Sequence, residues 1–173
     1  VSNVVRKEKS RHAKLPFITP TLQRAAYNRY KYPVKRTMQI AQKLYEGKEL
    51  GEFGHVGLIT YMRTDSTRVS DEALTEVREY IGNRYGAEIL PEKPNVYKAK
   101  KSAQEGHEAI RPTTLDFSPD QVSAVLSKEQ LSLYRLIWNR FIACQMKPAL
   151  YDQMSVDFDA DGGKIGLRAT GSR

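Results

Sequence analysis

Both ends of the chain carry the alternating pattern of β-strands, and this feature constrains the fold more than any other. In residues 154–159 apolar side chains alternate with polar ones, the period of a strand with one face against a core. The alternation resumes at residues 165–169 after a turn with two glycines, which predicts a hairpin. Val4 and Val5 open a charged run typical of an edge strand. Because a short strand is not stable alone, we predict that the two ends meet in one antiparallel sheet.

The residues between the two ends carry helical spacing. Thr19 is a good N-cap and Pro20 suits a first helical turn, while the residue before Pro33 should end that helix. A second helix should bury a stripe formed by Val34, Met38, Ala41, Leu44 and Tyr45. Three later helices are each predicted to begin at a serine, namely Ser70, Ser118 and Ser127.

The predicted fold class is therefore mainly α. A multi-helix domain, residues 16–149, is inserted between strands of a small antiparallel β-sheet that residues 1–15 and 150–173 form. The glycines of residues 47–56 break the helical periodicity and predict a loop or small hairpin. Residues 58–61 then predict a short strand, because Leu, Ile and Tyr are good strand formers there.

The net charge of +8 is concentrated near the amino end. Residues 1–48 hold 12 Lys and Arg against two Glu, whereas residues 49–173 hold 16 basic against 18 acidic side chains. Such a basic surface favours a polyanionic partner, although a solubilising face explains the charge equally well. The two predicted helices around Pro33, with Arg36 and Lys43 among their basic residues, resemble a helix-turn-helix that contacts DNA phosphates. An ordinary helix pair with soluble faces remains the alternative.

Several classes of protein are disfavoured by composition. The chain has no run of 18 apolar residues, so we expect no membrane span. It has no apolar segment after its first charges that would indicate a signal peptide, and it begins with Val1 rather than Met, so we expect a piece of a longer protein. The single cysteine, Cys144, excludes an internal disulfide and fits a reducing compartment, which favours a cytoplasmic protein.

Residues 57–66, which read GLITYMRTDS, place a tyrosine between a predicted strand and a polar loop. A phenol is a poor nucleophile at neutral pH because its pKa is about 10. A guanidinium close by, such as that of Arg63, favours phenolate and also neutralises a phosphate. Tyr61 and Arg63 are thus a plausible nucleophile and a plausible phosphate-binding cation for attack on a phosphodiester. By themselves they are more typical of a half-buried tyrosine and an exposed arginine on a strand.

Four stretches together carry a resemblance to a known family. Residues 57–66 closely resemble the active-site signature of type IA DNA topoisomerases, and residues 104–112, QEGHEAIRP, resemble a second signature of that family. Residues 16–23, PFITPTLQ, and 41–46, AQKLYE, are similar to two further stretches in the same order. Relative to the shortest form of the family pattern, residues 47–56 look like an insertion. The resemblance implies the central domain of such an enzyme, from a bacterial nucleoid.

The resemblance also implies roles for individual residues. Tyr61 would attack a phosphodiester of single-stranded DNA to form a 5′-phosphotyrosyl link, and Arg63 would hold the scissile phosphate; these two are the predicted catalytic residues. His107 would contact a phosphate oxygen or assist proton transfer, and Arg111 would position the DNA backbone. The remaining residues predicted to contact DNA or phosphate, or to shape the loop that does, are Thr64, Asp65, Glu46, Gln42, Arg36 and Lys43.

The family also uses a Toprim domain that binds Mg²⁺ and supplies an acid and a lysine. The sequence has no Asp-x-Asp cluster in a suitable context, since Asp157 and Asp159 face solvent in the predicted hairpin. We therefore expect no metal site in this chain, Mg²⁺ in a Toprim domain outside it, and inactivity of the chain alone. Three alternatives stay open: a non-catalytic DNA-binding module that uses the helix pair, a tyrosine recombinase, and a protein-interaction domain.

Overall fold

The computed structural model describes residues 1–97 and 106–173, and the predictions for Gln104 and Glu105 therefore lie outside the described residues. Contacts divide the chain into two units, residues 1–13 with 147–173, and residues 14–146. In chain order the elements are β1 (Asn3–Arg11), α1 (Thr19–Tyr30), α2 (Val34–Glu46), β2 (Lys48–Glu49), β3 (His55–Val56), α3 (Asp71–Tyr85), α4 (Lys128–Cys144), β4 (Ala149–Ala160) and β5 (Ile165–Ser172).

The first unit is an antiparallel sheet in the order β1-β4-β5. Asn3 pairs with Asp157 at one end of the β1–β4 ladder and Arg11 pairs with Ala149 at the other. The prediction that both chain ends contribute strands to one sheet is confirmed. The predicted buried face is wrong, because every residue of β1 and β5 is exposed. Several large apolar side chains of this sheet are exposed to solvent, and Leu167 is 58% exposed.

The second unit contains the hydrophobic core. Helix α4 lies at its centre and buries residues on several faces, including Tyr134, Trp138 and Phe141. Its N-terminus is the capping box predicted at Ser127, whose hydroxyl accepts from the Gln130 N–H at 3.3 Å. Helix α2 packs against α4 and α1. Among the helices described, none is long and apolar enough to cross a membrane.

Four local predictions differ from the structure. The N-cap of α1 is Ile18 rather than Thr19, because the Thr19 hydroxyl bonds to another segment. The helix predicted after Ser118 is a run of turns. The strand predicted over residues 58–61 is reduced to one antiparallel bridge, between Ile59 and Pro112. On α2, part of the predicted stripe is exposed, and the buried residues are Thr37, Ile40, Ala41 and Leu44.

Candidate active site

Exposure alternates along the segment that contains Tyr61. The exposed side chains are those of Tyr61, Arg63 and Asp65. The buried ones are those of Met62, Thr64 and Ser66. Tyr61 keeps 45% of its surface open to solvent, although each of its neighbours in the chain is anchored. The backbone therefore presents the phenol and the Arg63 guanidinium on the same outer side.

The segment before Tyr61 is anchored by residues 109–113. The Thr60 N–H donates to the Arg111 carbonyl at 2.9 Å, and the Thr113 N–H donates to the Leu58 carbonyl at 3.2 Å. The Thr60 hydroxyl donates to the Ala109 carbonyl at 2.7 Å and accepts from the Arg111 N–H at 3.0 Å. Because this threonine uses both its donor and an acceptor position, the residue directly before Tyr61 is held firmly.

The segment after Tyr61 is anchored by the first residue of α1. The Thr19 hydroxyl lies 2.8 Å from the Met62 carbonyl oxygen and accepts from the Thr64 N–H at 2.9 Å. The Thr19 N–H donates in turn to the Thr64 carbonyl at 3.0 Å. The start of α1 thus holds the backbone on the carboxyl side of Tyr61.

The polar residues of the loop mostly shape the loop itself. The Thr64 hydroxyl accepts from the Ser66 N–H at 3.0 Å, and the Ser66 hydroxyl accepts from the Arg68 N–H at 3.2 Å. Such side-chain bonds to nearby backbone are the usual turn chemistry of threonine and serine. Thr64 is 7% exposed, so its side chain is directed into the protein rather than toward a ligand.

Arg63 and one face of α2 line an open cavity of about 580 Å³, here called the α2 cavity. It brings together half of the residues predicted for the site: Arg36, Gln42, Lys43, Glu46 and Arg63. Lys35 lines it as well, so the cations outnumber the single lining carboxylate. Gln42 donates to Glu46 at 2.8 Å, one helical turn along. The α2 cavity is therefore an electropositive surface next to Tyr61.

One cation of the α2 cavity already has a partner. Arg36 forms an ion pair and a bidentate hydrogen bond with Glu129 of α4. This contact raises the pKa of Arg36 and lowers the pKa of Glu129. Among the described residues, Arg63 and Lys43 form no such hydrogen bond or ion pair. Lys35 likewise forms no such bond with a described residue, so Lys35, Lys43 and Arg63 are the lining cations that are available to an anionic ligand.

A second tyrosine, Tyr45, contacts the Tyr61 ring edge to face, with 5.3 Å between ring centroids. Tyr45 comes before the short β2–β3 hairpin, and this hairpin returns the chain to Gly57. A Cβ on Gly57 would lie 2.7 Å from the Tyr45 carbonyl oxygen, so the two backbones approach closely. The sequence reasoning missed Tyr45 and Thr60 as parts of the site, and it took Thr19 for a helix cap.

His107 and Arg111 are not among the residues that line the α2 cavity. The Arg111 guanidinium donates to Glu108 Oε2 at 2.7 and 3.1 Å and to the Pro112 carbonyl at 2.8 Å. Its side chain is only 11% exposed and lies 6.0 Å from the Phe141 ring centroid. His107 is half-buried, and no hydrogen bond joins it to a residue that the structure describes.

Asp65, the third outward residue of the loop, lines a different cavity from Arg63. Acidic, histidine and cysteine side chains are the protein groups that most often ligate metal ions. Within residues 1–97 and 106–173, no three of them come together in a group that could hold a metal ion.

A family model and curated relatives match almost the whole chain. The family model described as DNA topoisomerase matches residues 1–173. The chain is 51% identical to "DNA topoisomerase 1" of Xylella fastidiosa strain Temecula1 over 173 residues, which are 99% of this chain and 21% of that protein. The protein of the same name from strain 9a5c gives the same values.

A solved structure is also similar to this chain. It is that of full-length topoisomerase I from Thermotoga maritima, with a TM-score of 0.83 and 39% identity. The match covers 99% of this chain and 27% of that one. The chain spans about a fifth of the length of the curated relatives it matches. With a matching family model over its whole length, the chain belongs to the type IA DNA topoisomerase family.

Proposed function

We propose that this chain is the tyrosine-bearing domain of an enzyme that cuts and reseals single-stranded DNA, and that Tyr61 is its nucleophile. The observation that carries the proposal is the presentation of Tyr61. Its phenol is exposed while the backbone on both sides is fixed by Thr60 and Thr19. A nucleophile needs this combination, because a small misplacement costs much of the rate.

The proposed step is a transesterification. The Tyr61 phenol oxygen attacks the phosphorus of a DNA phosphodiester, a P–O bond to Tyr61 forms, and the bond to the 3′-oxygen breaks. The DNA is then linked to Tyr61 through its 5′-phosphate. The phenol proton passes to a base, and the departing oxygen takes up a proton to become a 3′-hydroxyl. Attack by that hydroxyl on the phosphotyrosine reverses the step. Since one ester replaces another, the chemistry itself needs no ATP.

The α2 cavity would bind the DNA backbone near the scissile phosphate. Arg63 would stabilise charge that develops on the phosphate oxygens, and Lys43 would contact a neighbouring phosphate. Gln42 would donate hydrogen bonds to the same strand or accept them from it, and the Glu46 carboxylate would accept them. Arg36 already forms an ion pair with Glu129. We therefore expect Arg36 to contribute less to the affinity for DNA than Lys43 does.

The other predicted residues receive more specific roles. Thr64 would shape the loop, because its buried hydroxyl is bonded to Ser66. Arg111 would hold residues 108–113 in the form that anchors Thr60, because its guanidinium is occupied by Glu108 and backbone carbonyls. His107 would be the side chain of that segment that approaches a phosphate oxygen. Asp65 would help Thr64 to shape the loop that contacts the DNA.

A base for the Tyr61 proton would come from outside the described residues. No hydrogen bond joins the Tyr61 hydroxyl to any of them, and no three of their acidic, histidine and cysteine side chains form a group that could hold a metal ion. We propose that a Toprim domain of the parent protein binds Mg²⁺ and supplies the acid and base groups, and that this chain is inactive without it. Strand passage would likewise need the remaining domains.

The test is a cleavage assay on end-labelled single-stranded DNA with Mg²⁺, using the chain alone and then with an added Toprim domain from a relative. We expect a covalent adduct at a 5′-phosphate only when the partner domain is present. Tyr61→Phe should abolish it, because the nucleophilic oxygen is gone. The matched control is Tyr45→Phe, which removes a neighbouring phenol hydroxyl and keeps the ring contact.

The outcomes separate the alternatives. A 3′-phosphotyrosine adduct would contradict the proposal and favour a tyrosine recombinase. An adduct that persists in Tyr61→Phe would show that a residue other than Tyr61 is the nucleophile. Absence of any adduct, with salt-sensitive DNA binding that needs Lys43, would favour a non-catalytic DNA-binding module. Absence of DNA binding even at low salt would favour a protein-interaction domain.

A further inference from the structure

A second cavity is lined by residues of the chain before α1, of α1 itself, of the Tyr61 loop and by Arg140 of α4. It has a volume of about 410 Å³ and is called here the α1–α4 cavity. Its basic side chains are Lys14, Arg24 and Arg140, and Asp65 is the one acidic side chain that lines it. Leu15 and Ile18 form an apolar part of its wall. A cavity with this mixture suits a ligand that is part anion and part apolar.

Arg140 is fixed at the inner wall of the α1–α4 cavity. Its guanidinium carbon lies 4.0 Å from the ring centroid of Phe17, which is fully buried. Nη1 donates to the Leu15 carbonyl at 3.1 Å. A stacked arginine with one backbone bond is held in place while most of its donors remain available. Arg140 is therefore a preorganised anion-binding group.

The positive charges of the α1–α4 cavity are not neutralised by the protein. Burial lowers the pKa of Arg140, and the nearby charge of Arg24 lowers it further. Among the residues described, neither Arg24 nor Lys14 forms a hydrogen bond or an ion pair, and Asp65 pairs with no cation. Holding like charges together costs free energy unless an anion joins them. The missing counter-charge points to an anionic ligand.

The outer face of α1 continues from this cavity. Arg24 and Tyr27 lie three positions apart on one face of α1, and Lys31 follows the helix as its left-handed C-cap. Tyr27 is 55% exposed, and the Lys31 amine lies 5.5 Å from its ring centroid. An exposed ring flanked by cations is typical of a surface on which a nucleic-acid base stacks between phosphate contacts.

We propose that the α1–α4 cavity is a second nucleotide site, in which Arg24 and Arg140 hold a phosphate of a single DNA strand and Tyr27 stacks on a neighbouring base. The site is separate from Tyr61 and from the α2 cavity. The identity of the ligand as DNA rests on the proposed function. The anionic nature of the ligand rests on the cavity itself.

The test is fluorescence anisotropy of a labelled oligothymidylate over a series of salt concentrations. Arg24→Gln should weaken binding and reduce the salt slope by about 0.7, the value for one phosphate contact on a single strand. Tyr27→Ala should weaken binding roughly fivefold or more with little change in slope, because it removes stacking and no charge. Arg24 and Tyr27 are exposed, so both variants should fold.

The matched control is Arg29→Gln, which removes the same charge from the same helix at an exposed position outside the cavity. Arg63→Gln tests the α2 cavity in parallel. If Arg24→Gln and Tyr27→Ala behave like Arg29→Gln while Arg63→Gln weakens binding, the second site is overturned and the proposed function stands. If the unaltered chain has no affinity at low salt, both are overturned.

Inorganic phosphate distinguishes a nucleotide site from an ion site. Its titration is followed through the amide signals of Arg24 and Asn28, both on the part of α1 that adjoins the cavity. We expect weak shifts that the oligothymidylate reproduces at much lower concentration. If phosphate alone saturates these signals at the same concentration as the oligonucleotide, the cavity is an ion site and the nucleotide assignment is wrong.

Discussion

Two threonines determine the position of Tyr61 more directly than any charged residue does. Thr60 and Thr19 each use their hydroxyl as donor and acceptor, and they fix the residue before Tyr61 and the residues after it. Because the backbone on both sides is fixed, the Tyr61 phenol can move only by rotation about its own side-chain torsions. In the proposed reaction, Thr19 is therefore a positioning residue, since it acts through the loop and does not contact the DNA.

Thr19→Val should loosen the Tyr61 loop. The variant keeps the shape of the side chain but leaves the Thr64 N–H and the Met62 carbonyl without this partner, so we expect a loss of about 1–3 kcal/mol in the free energy of unfolding. The specific readout is hydrogen exchange at the Thr64 amide, which donates to Thr19 at 2.9 Å. That amide should exchange faster than in the unaltered chain.

Thr21→Val is the matched control for this prediction. Thr21 lies on the same turn of α1, and its hydroxyl accepts from the Ile18 N–H at 3.0 Å without touching the loop. It should reduce stability, because an N-terminal bond of the helix is lost, and it should leave exchange at the Thr64 amide unchanged. Equal exchange in the two valine variants would show that Thr19 does not hold the loop.

At the scale of elements, the turn from α2 through the β2–β3 hairpin controls how the chain reaches Tyr61. Gly57→Ala would place a methyl group 2.7 Å from the Tyr45 carbonyl oxygen, so we expect destabilisation of about 1–3 kcal/mol from overpacking. Gly82→Ala in α3 is the opposite case. There the methyl group would make an ordinary contact at 3.6 Å, and the helix should gain about 0.5–1 kcal/mol.

Denaturant unfolding of both alanine variants measures these changes. The covalent-adduct assay should also respond to Gly57→Ala, because Leu58 next to it donates to the Leu44 carbonyl at 2.8 Å and begins the segment that leads to Tyr61. Equal stability of the two variants would mean that the backbones of Tyr45 and Gly57 separate easily.

The same hairpin should respond to pH through His55. Its ring nitrogens lie 2.8 Å from the Glu46 carbonyl oxygen and 3.0 Å from a Glu49 carboxylate oxygen, and these contacts raise the pKa of His55 above its ordinary value. A group whose pKa is higher in the folded state stabilises fully below its unfolded pKa of about 6.5. That stabilisation is lost as pH rises through the folded pKa.

Comparison of the unaltered chain with His55→Gln measures this effect. The difference in the free energy of unfolding should be largest near pH 5 and should shrink as pH rises above about 7. Proton NMR titration of Glu49→Gln should show a lower midpoint for His55 than in the unaltered chain. A difference in stability that grows with rising pH would have the wrong sign for this mechanism.

Helices were predictable where a local signal decides them. Ser127 begins α4 because its hydroxyl and the Gln130 side chain cap each other, and both lie within four residues. Ser118 carries the same pattern, and its hydroxyl and Gln121 do bond, but only turns follow. A cap fixes where a helix can start, whereas its continuation depends on tertiary packing.

The site was predictable only in part for a related reason. Tyr61 and Arg63 could be predicted from the motif. Their exposure could also be predicted, because alternate side chains of an extended segment point to opposite sides. Arg111 was predicted to position the DNA backbone because a guanidinium can pair with a phosphate and because the resemblance implies that role. In the structure the Arg111 guanidinium donates to Glu108 and to two backbone carbonyls. No rule of sequence spacing predicts these hydrogen bonds. Likewise, the pairing of Thr19 with Met62 joins residues that are 43 positions apart.

At the scale of the whole molecule, burial is distributed very unequally. Every residue of the hydrophobic core lies between Phe17 and Cys144. No residue of β1, β4 or β5 is buried, although the three strands pair along their length. Backbone hydrogen bonds alone contribute little net stability, and a sheet usually needs an apolar face against a partner. The sheet should therefore open far more easily than the helical unit.

Hydrogen exchange of the unaltered chain tests this difference. Amides in the middle of α4, such as that of Ile137, should exchange only through global unfolding, whereas those of β1 and β4, such as that of Val156, should exchange through local opening at a much lower free energy. Denaturant should lower protection of Ile137 steeply and that of Val156 only slightly, because little surface is exposed when the sheet opens. Equal protection and equal denaturant dependence at the two amides would instead mean that the sheet and the helical core unfold as one cooperative unit.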